Sequence, residues 1–239
     1  MLRFYYVIIV SLPLIIYYVV KGRYIMRHPD KFSEDYCYKV ARNMVRMTLR
    51  NSHVSTKAFG TENLPEEGGY IMFPNHQGKA DALGIITSHD KPCSIVIDIK
   101  TAKMILTNEF IGILKGIRLD KNDMRQQMKC IKQVADEVKE GRRYIIFPEG
   151  GYNHNQNTLQ EFMPGAFKSA VWSRQPIVPV ALIDSYKPYG ISSLKKVTMQ
   201  VHYLKPISYE EYKSMSTQEI SDMVKKMIQE KMDSVITST

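Results

Sequence analysis

The sequence predicts an α/β fold. The expectation is a single domain with a mixed, largely parallel central sheet flanked by helices, preceded by an N-terminal membrane helix and a basic amphipathic helix. Three observations predict it. Short β-branched and aromatic runs alternate with helical stretches after residue 54, as strand–helix–strand units do. A charge-free run opens the chain, and a basic amphipathic stretch follows it. No internal repeat or long low-complexity linker interrupts residues 54–239, so these form one domain behind an anchoring segment, 1–53.

The opening run, "FYYVIIVSLPLIIYYVV", is 17 residues without a charge, flanked by Arg3 and by Lys21, Arg23 and Arg27. As a helix it reaches about 26 Å, just short of a hydrocarbon core of roughly 30 Å. Tyrosines at both ends suit the membrane interface, and Pro13 introduces a kink that membrane helices tolerate. The cations after it predict that the chain beyond residue 21 faces the cytoplasm, on the membrane surface. Next, "EDYCYKVARNMVRMTLRNSH" places Tyr36, Val40, Met44 and Met47 near helical spacing, interleaved with Lys39, Arg42, Arg46 and Arg50. Such a helix suits an anionic lipid surface, and packing against the domain is compatible with that.

Strands are expected at 69–73, 93–97, 143–147, 176–183 and 196–204. Helices are expected at 80–88, 124–141 and 165–174, and from Ser216 to about Ile236. Asp123 with Gln126, and Ser216 with Glu219, have capping-box spacing, and Gly141 ends the helix that Asp123 opens.

Composition narrows the function. The net charge of +9 is uneven: residues 1–60 hold 10 Lys+Arg against 3 Asp+Glu, and the remainder holds 23 against 21. The body is nearly neutral and lacks a zinc-finger or RRM signature, so no nucleic acid is expected. Cys37, Cys93 and Cys130 lie far apart without metal-ligand spacing and read as reduced thiols. No metal is expected, since neither H-E-x-x-H nor a carboxylate cluster with ligand spacing occurs.

Reactive groups in such sheets collect beyond the carboxyl ends of strands. Two loops there begin with Phe-Pro: "FPNHQGKAD" at 73–81 and "FPEGGYNHN" at 147–155. The first puts His76 five positions before Asp81, a spacing that none of the other five histidines shares. With His76 on a turn and Asp81 in the first helical turn, the carboxylate reaches one ring nitrogen and leaves the other to take a proton. The second loop delivers Glu149 to the same rim. A third stretch, "KGIRLDKNDMRQ", brings Lys121 and Arg125 near a helix start, a place that favours anions. No G-x-S-x-G is present, so the substrate is expected to supply the attacking hydroxyl.

These blocks resemble the glycerolipid acyltransferases, specifically those acting on 1-acylglycerol 3-phosphate. "NHQGKAD", "GIRLDKNDMRQ", "FPEGG" and "IVPVAL" stand in that family's order between Asn75 and Leu182. The resemblance implies that residues 54–239 are an acyltransferase domain in which His76, held by Asp81, deprotonates a glycerol hydroxyl that attacks an acyl thioester. It implies substrate-binding roles for Asn75, Lys121, Arg125, Phe147, Pro148, Glu149, Gly150 and Pro179. The 177–182 block would line the acyl path. No cofactor is implied, acyl-ACP or acyl-CoA being the co-substrate; the other partners are lysophosphatidate and membrane lipids, and the product is phosphatidic acid, made in phospholipid biosynthesis.

Two positions depart from the family pattern. Lys121 stands where arginine is usual, giving a point charge in place of a bidentate fork. Gly151 and Tyr152 replace a Thr-Arg pair, so Arg125, Lys121 or His154 would have to serve a phosphate, or the acceptor carries another headgroup. An acyltransferase for another lysophospholipid or alcohol, a thioester hydrolase and a non-catalytic membrane lipid-binding module are the alternatives.

Overall fold

The computed structural model describes residues 2–237; residue 1 and residues 238–239, the outermost ends of the two expected segments, lie outside the described residues. The β-rich runs pair into one sheet of β1 (Val54–Phe59), β2 (Tyr70–Pro74), β3 (Ser94–Asp98), β4 (Ile117–Leu119), β5 (Arg143–Ile145), β6 (Ile177–Ile183) and β7 (Val197–Tyr203). Their order is β1-β7-β6-β2-β5-β3-β4, with β6 and β7 antiparallel and the other pairs parallel. The helices are α1 (Leu2–Val10), α2 (Leu12–Arg27), α3 (Glu34–Asn51), α4 (Asp81–Ser88), α5 (Ile99–Ala102), α6 (Thr107–Ile113), α7 (Met124–Lys139), α8 (Lys168–Ser173), α9 (Lys187–Gly190), α10 (Tyr209–Tyr212) and α11 (Thr217–Ile236).

The period of two along β2 divides the core. Tyr70 and Met72 pack with α2, α3, α4 and α6, while Ile71 and Phe73 pack with α7, α8 and α11. Every residue of β2 and β6 is buried, as expected of central strands covered on both faces. Strands β1 and β4 were not among those expected. β1 carries Ser, Thr and Lys, and β4 has only three residues. Edge strands need no continuous apolar run, which hides them. The three cysteines are free and buried.

The apolar run at the N-terminus differs from the single helix expected. It forms two helices, α1 and α2, bent by 72° at Ser11. Pro13 has no N–H to continue the α1 ladder and instead occupies the first turn of α2, where none is needed. No single described helix is long and apolar enough to cross a membrane, although the bent pair together meets that length and composition. Both ends are docked on the domain. Arg3 is fully buried and donates to the carbonyls of Pro188 (2.9 Å) and Lys195. At the other end Arg23 pairs with buried Glu109 at 2.9 Å, beside a close α2–α6 crossing where a Cβ on Gly22 would stand 2.9 Å from that of Glu109. Between these anchors Tyr5, Ile9, Leu12, Ile16 and Val20 face outward.

The basic helix α3 turns Cys37, Val40, Ala41, Met44, Val45 and Leu49 into the core, capped by Ser33. Tyr36 and Met47, expected on the apolar face, are exposed, because the packed stripe lies about one residue further round the helix.

Candidate active site

Two Phe-Pro strand ends and the N-terminus of α4 meet above the carboxyl edge of the sheet. Pro74 closes β2, and buried Asn75 then clamps the neighbouring strand. Its amide donates to Leu182 O (3.1 Å) and its carbonyl accepts from Leu182 N (2.7 Å). Both polar atoms of Asn75 are thereby committed to β6, which sets where the next residue emerges.

That residue is His76. The loop folds back so that Asp81, at the first position of α4, reaches His76 Nδ1 with Oδ2 at 2.5 Å. The same oxygen accepts from the N–H groups of Gln77 (2.6 Å) and Gly78 (2.9 Å), which holds the turn closed. Asp81 is fully buried, and its Oδ1 has no hydrogen-bond partner among the described residues. A carboxylate in the first turn also lies favourably in the helix dipole. With Nδ1 donating to Asp81, Nε2 is left as the basic nitrogen.

The second strand end holds the first from behind. Glu149 Oε1 accepts His76 N–H at 3.0 Å, and Oε2 accepts from Gln160 Nε2 at 2.6 Å. Burial pushes the Glu149 carboxyl above its ordinary range, against those two hydrogen bonds. Both of its oxygens face protein donors, so Glu149 positions the His76 loop. Phe147 stacks on the His76 ring, centroids 4.3 Å apart, and Tyr152 meets it edge-on at 4.9 Å. Gly150 turns the chain at φ +67°, a conformation that strains any side chain. Pro148 lends its carbonyl to Met163 N at 2.8 Å.

His76 borders a cleft of about 560 Å³. Ile95, Ile97, Leu119, Ile131, Ile146 and Ala166 make much of it apolar, and Lys79, Asp98 and Lys121 are its charged members. Lys121 Nζ lies 3.5 Å from Asp98 Oδ2. A Cβ on Gly151 would stand 3.7 Å from that ammonium, an ordinary contact, so the loop after β5 runs directly beside the cation. Burial works against the Asp98 charge, yet the Lys100 N–H and the Lys121 ammonium hold its carboxyl below the usual range.

Two residues expected at the site lie elsewhere. Arg125 is exposed on the first turn of α7 and does not border this cleft. Pro179 is buried in β6, in register with Phe73, and no residue of β6 lines the cleft either. Being central in the sheet, β6 has both faces covered by core. His154 is exposed, in a smaller adjoining pocket with Tyr152, Tyr186 and Tyr189.

Several supporting residues were not singled out in the sequence. Gln77 donates to Leu182 O and Asn157 Oδ1 and accepts from Ser185. Asn155 donates to His76 O. The amide-rich run after Gly151 was the one sequence signal for Asn155 and Asn157, while Gln77 stood unremarked inside "NHQGKAD". Lys79, over the Phe4 ring at 4.5 Å, carries a cation to the cleft from α4's own approach loop.

An acyltransferase family model matches residues 56–183, more than half of the chain. The sheep protein named 1-acyl-sn-glycerol-3-phosphate acyltransferase alpha is 27% identical over 173 residues, 70% of this chain and 58% of that one. The human protein of that name is 28% identical over 159 residues, 63% of this chain and 54% of its own. The 1-acyl-sn-glycerol-3-phosphate acyltransferase of Borreliella burgdorferi is 24% identical over 144 residues, covering 60% and 57%. This chain thus spans little more than half the length of these curated relatives. The crystal structure of the 1-acyl-sn-glycerophosphate (LPA) acyltransferase of Thermotoga maritima shares the fold, with a TM-score of 0.78 at 18% identity over 98% of this chain and 94% of that one.

Proposed function

The chain belongs to the acyltransferase family, and from that premise we propose that it transfers an acyl group from an acyl-ACP or acyl-CoA thioester to the free hydroxyl of 1-acylglycerol 3-phosphate, giving phosphatidic acid. The observation that carries this reading is the buried Asp81 carboxylate on His76 Nδ1 at the mouth of an apolar cleft.

His76 Nε2 takes the hydroxyl proton as the oxygen attacks the thioester carbonyl. Asp81 stabilises the imidazolium that forms, general-base help worth about two to four powers of ten. The tetrahedral intermediate collapses with cleavage of the C–S bond, and the imidazolium returns its proton to the departing thiolate. An apolar chain lies among Ile97, Leu119 and Ile131, while Lys121 and Lys79 attract the phosphate. The curated relatives named for this acceptor support the choice of substrate.

The α1–α2 pair inserts into one leaflet, with the catalytic domain on the cytoplasmic face. Its docked ends and its outward row of Ile9, Ile16 and Val20 support that placement. The same docking supports treating residues 54–239 as the catalytic unit, with α1–α3 as its membrane-facing attachment.

A second reading has a specific observation behind it. Tyr152 meets the His76 ring with an aromatic edge and lines the neighbouring pocket with Tyr186 and Tyr189. That pocket suits the headgroup of another lysophospholipid. Acyl transfer from a labelled thioester, with lysophosphatidate beside lysophosphatidylcholine and glycerol 3-phosphate, tests both. Product with lysophosphatidate alone, lost in His76→Ala, is the expected result. Product with a different acceptor establishes the second reading, and no product with any acceptor rejects both.

A further inference from the structure

We propose that the groove between α3, α4 and the edge strand β1 holds the phosphate headgroup of an anionic phospholipid, a site separate from the His76 cleft. The groove encloses about 710 Å³ and is bordered by Arg46, Arg50, His53, Thr56, Ser88 and Lys196. No Asp or Glu lines it.

The side chains of Arg46, Arg50 and Lys196 have no hydrogen-bond or ion-pair partner among the described residues. Arg42, one turn earlier on α3, is instead engaged, with Nε and Nη2 donating to Thr87 O and Nη2 pairing with Asp90. Arg50 sits in the last turn of α3, where a cation offsets the helix dipole. That accounts for one of the three charges and leaves Arg46 and Lys196 without a local reason. Three like charges around one concavity repel one another until an anion enters. A phosphate diester accepts from guanidinium forks through its free oxygens.

The position of the groove selects a lipid as the source of that phosphate. Asn51 Nδ2 donates to Ser11 Oγ at 2.9 Å, at the bend between α1 and α2, and the His53 ring lies 5.8 Å from that of Tyr6 on α1. The groove therefore opens beside helices that turn Ile9 (74% exposed), Val10 and Leu12 outward. A lipid whose chains lie on that apolar surface brings its headgroup to the cations. The inference rests on the leaflet insertion of α1–α2 proposed above.

The test is co-sedimentation of the full chain with vesicles of phosphatidylcholine alone or mixed with phosphatidylglycerol. Wild type is compared with Arg46→Gln/Arg50→Gln/Lys196→Gln. The control is Arg27→Gln/Lys31→Gln/Lys39→Gln, which removes the same number of positive charges from the N-terminal segment outside the groove. The preference for anionic vesicles should fall at least about tenfold in the groove variant and much less in the control, whose charges contribute only diffuse attraction. Equal losses would mean diffuse attraction and overturn the site, as would no loss in the groove variant. Inorganic phosphate should release wild type no better than chloride at equal ionic strength; selective release would assign the groove to soluble phosphate and overturn the lipid. Absence of binding to neutral vesicles would reject insertion of α1–α2, and the anionic preference still reads the groove by itself.

Discussion

The backbone N–H of His76 donates to the side chain of Glu149 at 3.0 Å, so the loop after β5 grips the histidine carried by the loop after β2. Two residues 73 positions apart form one unit, and the acid of the "FPEGG" block acts on the base through the main chain.

Glu149→Gln should therefore impair turnover while leaving substrate affinity almost unchanged. Its amide can accept from His76 N–H only by facing Gln160 Nε2 with a second donor, and Gln160 is also tied to Gly151 O at 2.7 Å. A displaced His76 loop predicts a fall in kcat of about tenfold to a hundredfold. Glu149→Ala should in addition lose about 1–3 kcal/mol of stability per orphaned donor. Steady-state kinetics beside denaturant melts separates the two effects, and wild-type kcat in Glu149→Ala would refute the positioning role.

His76→Ala should lose at least two to four powers of ten in turnover with the fold retained, since the Gln77 and Gly78 N–H groups still hold the Asp81 carboxylate. Asp81→Asn should lower kcat at least about a hundredfold by removing the charge behind the imidazolium. Steady-state kinetics checks the assignment, and a normal kcat in the variant would leave Asp81 as a turn-holding residue only.

Lys121→Met and Lys79→Met should each raise KM for a phosphate-bearing acceptor about tenfold, with little effect on a neutral alcohol acceptor. Methionine keeps the apolar stem and removes the charge, which isolates the electrostatic contribution. Arg125→Met should do neither, since that side chain lies outside the cleft. An unchanged KM for the phosphate-bearing acceptor in both lysine variants would move the phosphate elsewhere.

Acid should destabilise the fold well before its carboxylates titrate. His89 is fully buried, accepting from the Tyr70 hydroxyl through Nε2 and donating through Nδ1 to Lys91 O, each at 2.6 Å. Burial lowers its pKa from 6.5 to about 4. His202, stacked on Phe59, is likewise lowered to about 4 by burial. A base with a depressed folded pKa gives its full stability above the unfolded value. Stability is then lost as pH falls from about 6.5 toward 4, by ~3 kcal/mol for His89 at 1.36 kcal/mol per unit. Denaturant midpoints at pH 7.5 and 5 measure the loss, and His89→Gln should flatten it. An unchanged slope in that variant would rule out His89 as a source.

Much of the architecture was legible because its signals are local. Continuous apolar runs announced β2 and β6, and Ser216 with Glu219 does form the reciprocal cap of α11. Asp123 caps α7 as its spacing suggested, but Gln126 turns away to Asp120 N and Arg118 O, so only half of that box forms. The proximity of His76 and Asp81 was readable for the same reason: five residues and one turn bring them together.

The sequence by itself determined the alternation of strands and helices, the loops that carry chemistry, and the proline that breaks the apolar N-terminal run. Only the tertiary structure decided what each polar group faces. It sent Glu149 to a backbone N–H, buried Arg3 among carbonyls, and left Arg125 outside the cleft while Lys79 entered it. Spacing along the chain fixes a side chain's direction within its own element. Its partner depends on how elements many residues apart pack, which no local pattern encodes.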